Sequence, residues 1–172
     1  MSDPGPEPRT APVIVGELHA IIRRARITAP YVLVGASIAG VYARLYAYTY
    51  PHTVAGIVLV DAAHEEELAQ LDATITCPAR DIGCWEIVGV AKYRAVEEAR
   101  AARGAVPLAG IPLVALTSGR YVAAPTATLS DLEASGDPSY AYWLSFQSDL
   151  VDQSDDSRQI IATDSAHCIA CN

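Results

Sequence analysis

Apolar and polar positions along this chain predict four short buried strands separated by helices. The strand-like runs are Tyr31–Val34, Gly56–Val60, Ile111–Leu116 and Arg158–Ala162. Continuous apolar strands that alternate with helices are typical of a parallel sheet that is covered on both faces. The pattern therefore predicts an α/β fold with a mostly parallel sheet of about four strands and helices on both faces.

The predicted helices come from apolar residues three or four positions apart and from prolines that stop them. Their ranges are Val13–Arg26, Val41–Tyr50 and Tyr140–Val151. In the first helix, Ile21 and Ile22 are expected to face the core, with Val13 and Leu18 on the same side. Pro51 ends the second helix.

A longer segment, Ala62–Pro107, separates the second and third strands. It holds two helix-like pieces, Glu65–Leu71 and Lys92–Arg103. The first begins with three glutamates that are expected to be solvated, and the second is rich in arginine, glutamate and alanine and is also expected to be solvated. We expect this segment to form a small helical cap insert within one domain over residues 1–172, because single domains usually run to about 100–200 residues.

Composition and charge exclude several classes of protein. The chain is 51% hydrophobic and 19% charged, which excludes a largely disordered chain. A net charge of −8 disfavours a general affinity for nucleic acid or anionic membranes. No apolar run reaches the roughly 18 residues of a membrane span. Met1–Thr10 is proline-rich and lacks the apolar core of a secretory signal, so a cytoplasmic location is expected.

The four cysteines leave several alternatives open. Cys168 and Cys171 form a Cys-x-x-Cys pair beside His167, and zinc sites use such spacing. Cys77 and Cys84 lie seven positions apart and do not supply a second such pair. Buried thiols or a terminal disulfide are therefore favoured over a metal site, and no metal or cofactor is predicted.

Ser37 is the strongest candidate for chemistry. It lies between an apolar strand and a helix, a position where a nucleophilic serine is exposed on a sharp turn. Such a turn needs small neighbours, and Gly35, Ala39 and Gly40 supply them. The Ile38 amide at the helix start can stabilise an oxyanion. The structural alternative is a glycine-rich turn in which Ser37 caps the helix.

A nucleophilic serine needs a base and an acid. His167 follows the last strand, and Asp61 ends the second strand at the sheet edge where Ser37 ends the first. We expect Asp61 to orient His167, since the first acid after the third strand is as distant as Asp131. The alternatives are a solvent-exposed histidine for His167 and a helix cap or loop acceptor for Asp61.

The segments Ala29–Gly40, Val54–Asp61 and Ser165–His167 resemble the strand and nucleophile elbow, the next strand, and the histidine loop of the α/β-hydrolase superfamily, in its carboxylesterase and lipase branch. The resemblance implies a truncated α/β-hydrolase fold that corresponds to strands five to eight of the family. Two positions depart from the family pattern. Ala36 stands where a histidine or similar polar residue is usual, and Ala39 stands where glycine is usual.

The resemblance also implies that the family's first four strands and last helix are absent. The loop that supplies the second oxyanion amide is then missing as well, and losing one such donor typically costs about 10²–10³ in rate. Without a flanking strand, Tyr31–Val34 presents an apolar edge that invites pairing with a second chain. A homo-oligomer built on that edge is therefore expected.

These observations predict a serine carboxylesterase that cleaves small, short-chain esters. Ser37 attacks the acyl carbon, His167 acts as base, and Asp61 orients His167. The alternative is a catalytically inactive α/β-hydrolase remnant that acts as a binding or assembly module. A weaker alternative is a metal-dependent hydrolase that uses His167, Cys168 and Cys171.

Overall fold

The computed structural model describes residues 10–67, 90–120, 129–136 and 138–169. Within these ranges, no helix is long and apolar enough to cross a membrane. The elements in chain order are α1 (Ala11–Arg24), β1 (Tyr31–Ala36), α2 (Ala39–Thr49), β2 (Val54–Val60), α3 (Val90–Ala101), β3 (Leu113–Ser118), α4 (Leu129–Ser135), α5 (Pro138–Asp152) and β4 (Ser157–Ala162).

The four strands form one parallel sheet in the order β1-β2-β3-β4, which is also their order along the chain. The register aligns Leu33 with Ile57, Ile57 with Leu113, and Leu113 with Ser157. Parallel neighbours need a crossover connection, and helices supply it between β1 and β2 and between β3 and β4. The predicted α/β class and the four-stranded parallel sheet are confirmed.

The core lies between one face of the sheet and a layer of helices. Because side chains alternate along a strand, the register places Leu33, Ile57 and Leu113 on the same face. Helices α1, α2 and α3 pack there, and Leu150 of α5 joins the same buried cluster.

The opposite face of the sheet is more exposed among the residues that the structure describes. Its residues in β1, Val32 and Val34, are 61% and 68% exposed, and Ile160 of β4 is 40% exposed. On the two inner strands the larger side chains of this face are only half-buried, namely Val58, Val60, Val114 and Leu116. For the elements that the structure describes, the helices that pack on the sheet all lie on the other face. This uncovered surface is called the bare face below.

Helix α1 begins two residues earlier than predicted, since Pro12 is accommodated in its first turn. Its buried residues are Ala11, Val15 and Ile22, whose spacings of four and seven residues place them on one face of the helix. The prediction that Ile21 faces the core is wrong, because Ile21 is one position off this row and is 61% exposed.

Helix α3 is not solvated on all sides as its composition suggested. Tyr93 and Val96 are buried in the main core, where α3 packs against α1 and α2. Their spacing of three residues marks a short apolar stripe within an otherwise charged helix. Residues 68–89 lie outside the described part of the chain, so the cap insert over residues 62–107 stays a prediction.

Candidate active site

Ser37 lies on a tight turn between β1 and α2. Its φ is +51°, in the left-handed region that non-glycine residues rarely adopt. The Ser37 amide donates to the Val60 carbonyl at 3.1 Å, which ties the turn to β2. A Cβ on Gly35 would lie 2.7 Å from the Ala39 carbonyl oxygen, so only glycine fits there. The strained turn between strand and helix is the arrangement predicted from the small residues around Ser37.

Asp61 directly follows β2, one strand over from Ser37. Its φ is also positive, at +43°, and its side chain is 5% exposed. Its backbone amide donates to Leu116 at 2.7 Å, and its Oδ1 accepts from the Ser118 amide at 2.9 Å. These bonds to β3 leave the second carboxylate oxygen, Oδ2, directed at His167.

His167 is carried by the loop after β4, which crosses the end of β3. The Gly119 amide donates to the Ala162 carbonyl at 2.8 Å, and the Arg120 amide donates to the Ser165 carbonyl at 3.1 Å. A Cβ on Gly119 would lie 2.4 Å from the Thr163 Cα, so a side chain there would push the loop away. Glycine at this position therefore allows the loop to bring His167 towards β1 and β2.

The three predicted residues meet in one hydrogen-bonded chain. His167 Nδ1 lies 2.7 Å from Asp61 Oδ2, and His167 Nε2 lies 3.1 Å from Ser37 Oγ. An ionised carboxylate can only accept, so Nδ1 carries the proton and Nε2 is free to accept from the Ser37 hydroxyl. The bond to Asp61 raises the pKa of His167, partial burial opposes this, and the field of Glu67 adds to the rise.

The start of α2 faces the same place. Its N-cap is Ile38, the residue after Ser37. Amide groups at a helix start have no acceptor inside the helix, and the helix dipole makes this end positive. The Ile38 amide therefore has the chemistry expected of a donor to a developing oxyanion.

A buried ionic network, which the sequence pattern did not indicate, lies in the segment that follows Asp61. Glu65, expected to be solvated, is 1% exposed and pairs with the fully buried Arg44 at 2.7 Å. Burial would raise the pKa of Glu65, but the attraction of Arg44 overrides it and lowers this pKa to about 2. The available signal was an arginine at position 44, within the otherwise apolar helix α2.

One of the three ligands of the alternative metal site, which used His167, Cys168 and Cys171, is not available. Cys168 is disulfide-bonded and so has no free thiolate. Cys77, Cys84 and Cys171 lie outside the described residues. Among the residues that are described, no group of three or more potential ligands could hold a metal ion.

No protein-family model matches the chain. No curated protein matches it either. Solved structures that are similar to it include Est1E from Butyrivibrio proteoclasticus, with a TM-score of 0.60 and 13% identity over 94% of this chain and 64% of that chain. A probable hydrolytic enzyme from Pseudomonas aeruginosa has a TM-score of 0.54 and 15% identity, over 95% of this chain and 65% of that one.

The metagenome-derived lipolytic enzymes LipS and LipT give a further similar structure. Its TM-score is 0.53 and its identity 14%, over 89% of this chain and 63% of that chain. The chain therefore spans slightly less than two thirds of the length of these three proteins. At such identities the likeness shows the fold alone, and the α/β fold that this chain shares with these proteins agrees with the resemblance to the α/β-hydrolase fold.

Proposed function

We propose that this protein is a serine hydrolase that cleaves short-chain carboxylic esters. The observation that carries the proposal is the chain of bonds from Ser37 through His167 to Asp61, at 3.1 Å and 2.7 Å. A hydroxyl, a base and an orienting acid within hydrogen-bond reach of each other are the geometric signature of an activated nucleophile. The fold, shared with lipolytic enzymes, agrees with hydrolysis.

In the proposed reaction, the Ser37 hydroxyl attacks the ester carbonyl while His167 Nε2 takes its proton. The tetrahedral intermediate collapses as His167 returns that proton to the leaving alcohol, and an acyl-enzyme remains. Water, activated by the same histidine, then releases the acid. Asp61 stabilises the imidazolium throughout, and the Ile38 amide stabilises the oxyanion.

Small, soluble esters are the proposed substrates. The His167 side chain is 46% exposed and Ser37 is half-buried, so an ester can reach the site from solvent. The sequence between β2 and β3 lacks a long apolar helix face of the kind that would cover an acyl chain. These features favour short acyl groups over long ones.

The test is hydrolysis of p-nitrophenyl esters from acetate to decanoate, together with covalent labelling by a fluorophosphonate. We expect the parent protein to hydrolyse the shorter esters and to be labelled, and Ser37→Ala to do neither. Ser145→Ala is the matched control, because Ser145 is exposed on α5 and bonds only to a carbonyl within its own helix. Hydrolysis by Ser37→Ala at the parent rate would refute the proposal.

A second candidate function, assembly, is favoured by the free edge of β1. The strand pairs only with β2 among the described elements, and Val32 and Val34 beside its open edge are exposed on the bare face. We propose that a second copy of the chain associates there, since unpaired apolar edges are templates for pairing. In the absence of turnover, this association would be the protein's role.

Light scattering after gel filtration, over a range of protein concentrations, tests the assembly. We expect the parent to elute above monomer mass and Val34→Lys to shift to the monomer. Val106→Lys makes the same change at an exposed valine in the loop before β3 and should leave the mass unchanged. A parent that stays monomeric at every concentration would contradict the proposal.

A further inference from the structure

The segment that follows Asp61 is fixed by other elements at successive residues. We call Ala62–Glu65 the acid segment. In addition to the ion pair between Arg44 and Glu65, three bonds tie its backbone to other elements: Gln147 Nε2 donates to the Ala62 carbonyl at 3.0 Å, the Ala63 amide donates to the Ser37 carbonyl at 3.0 Å, and Arg44 Nη2 donates to the Ala63 carbonyl at 3.2 Å. The middle bond joins the acid segment directly to the turn that carries Ser37.

His64 is as deeply buried as Glu65 in this segment. It is 1% exposed, and its ring stacks on Phe146 of α5 with centroids 4.8 Å apart. Its Nδ1 accepts from the Glu66 amide at 3.2 Å, and its Nε2 lies 2.9 Å from Asp149 Oδ2. A proton on Nε2 satisfies both of these bonds, since a proton on Nδ1 would oppose the Glu66 amide. Arg100 Nη1 also lies 3.2 Å from His64 Nε2, and with that nitrogen protonated it donates to Glu65 Oε1 instead.

The partner of His64 is itself fixed. Asp149 accepts from Arg100 Nη2 at 2.6 Å and from Gln153 Nε2 at 3.1 Å. Arg100 also reaches Glu65 at 3.2 Å, so α3 and α5 hold the acid segment through shared charges. Burial would raise the pKa of Asp149, but its bonds from His64 and Arg100 lower it well below its usual range.

We propose that His64 is a positioning residue for the reaction, which fixes Asp61 against His167 by anchoring the acid segment to α5. The proposal rests on the proposed function. Asp61 has a strained φ of +43° only three residues before His64, and such a conformation persists only where its surroundings hold it. Loss of the anchor lets Asp61 relax, and the 2.7 Å bond to His167 lengthens.

The quantity to measure is the pKa of His167, obtained from an NMR titration of protein that carries 15N-labelled histidine. We expect a raised pKa in the parent and a value that falls towards the ordinary histidine value of about 6.5 in His64→Ala. We also expect kcat/KM for p-nitrophenyl acetate to fall at least tenfold. His52→Ala makes the same change at an exposed histidine before β2 and should alter neither quantity.

Two further variants separate the possible causes. Glu67 accepts from the His64 amide at 3.3 Å and also raises the pKa of His167, so Glu67→Gln measures its share. Asp149→Ala removes the partner of His64 without replacing any residue of the acid segment, and it is the variant to measure if His64→Ala does not fold. A fall in the pKa of His167 that exceeds the Glu67→Gln effect supports the proposal.

An unchanged pKa of His167 in both His64→Ala and Asp149→Ala, with only a lower melting temperature, would overturn the proposal and leave His64 a purely structural residue. The NMR readout does not depend on turnover. A protein without esterase activity would therefore refute the proposed function, while the link between His64 and the Asp61–His167 bond would still be measured.

Discussion

Replacing Asp61 by asparagine tests the centre of the proposed site. The Asp61 carboxylate accepts two bonds, from the Ser118 amide at 2.9 Å and from His167 Nδ1 at 2.7 Å. Asparagine has one acceptor oxygen and one NH2 donor, so it can satisfy only one of them. It is also among the residues that best tolerate a positive φ, and we expect Asp61→Asn to fold.

The size of the effect follows from which bond is kept. If the oxygen stays with Ser118, the NH2 group faces His167 and forces the proton onto Nε2, which then cannot accept from Ser37. This wrong tautomer lowers kcat by about 10⁴-fold in a Ser-His-Asp triad. We expect a loss of about 10³–10⁴ here, equivalent to about 4–5.5 kcal/mol at 1.36 kcal/mol for each factor of ten.

The pH dependence provides a second measure with a definite sign. The proposed base must be neutral, and the bond to Asp61 raises the pKa of His167. The acid limb of kcat/KM in the parent should therefore lie above the ordinary histidine pKa of about 6.5. In Asp61→Asn the carboxylate is gone, and the remaining activity should titrate at a lower pH than in the parent.

The assay is p-nitrophenyl acetate hydrolysis from pH 5 to 9, normalised to the concentration of folded protein. Asp164→Asn is the matched control, because Asp164 is exposed in the turn after β4. It should match the parent in rate and profile. A kcat of Asp61→Asn within tenfold of the parent value, or an acid limb of kcat/KM that does not move, would contradict this prediction.

Two further changes test the supporting structure. Glu65→Gln removes the partner of the buried Arg44 and should lower the free energy of unfolding by about 3–5 kcal/mol in urea, whereas Glu66→Gln, at an exposed neighbour, should not. The Glu65 contribution is complete above its unfolded pKa of about 4.3 and should disappear as the pH falls towards 2. Gly35→Ala should abolish labelling of Ser37 because its Cβ would overlap the Ala39 carbonyl, while Gly16→Ala on α1 has open space and should stabilise the helix by about 0.5–1 kcal/mol.

Much of the fold was predictable because strands and sharp turns have local signals. The apolar runs located the four strands, and small residues around Ser37 indicated the turn between β1 and α2. The meeting of Ser37, Asp61 and His167 followed from a general property of parallel sheets, whose strands end at the same edge. In the structure, His167 Nε2 lies 3.1 Å from Ser37 Oγ, and His167 Nδ1 lies 2.7 Å from Asp61 Oδ2.

The failed expectations concern contacts between distant residues. The burial of Glu65 depends on Arg44, which lies on another element, and nothing in the run of three glutamates distinguishes it from Glu66. The arrangement around the bare face could not be predicted from the sequence for a related reason. An apolar run such as Tyr31–Val34 shows that both sides of a strand favour burial, but it does not show what packs on each side.

The order of the sheet has a consequence for how the chain acquires reactivity. Ser37 and His167 are separated by 130 residues, and the strands follow one another across the sheet in the order of their synthesis. A chain that emerges from the ribosome can pair β1 with β2 early, but Ser37 has no base until β4 docks. For the proposed chemistry, labelling of Ser37 by a fluorophosphonate would then begin only when β4 has docked. Partly folded intermediates that lack β4 would not be labelled.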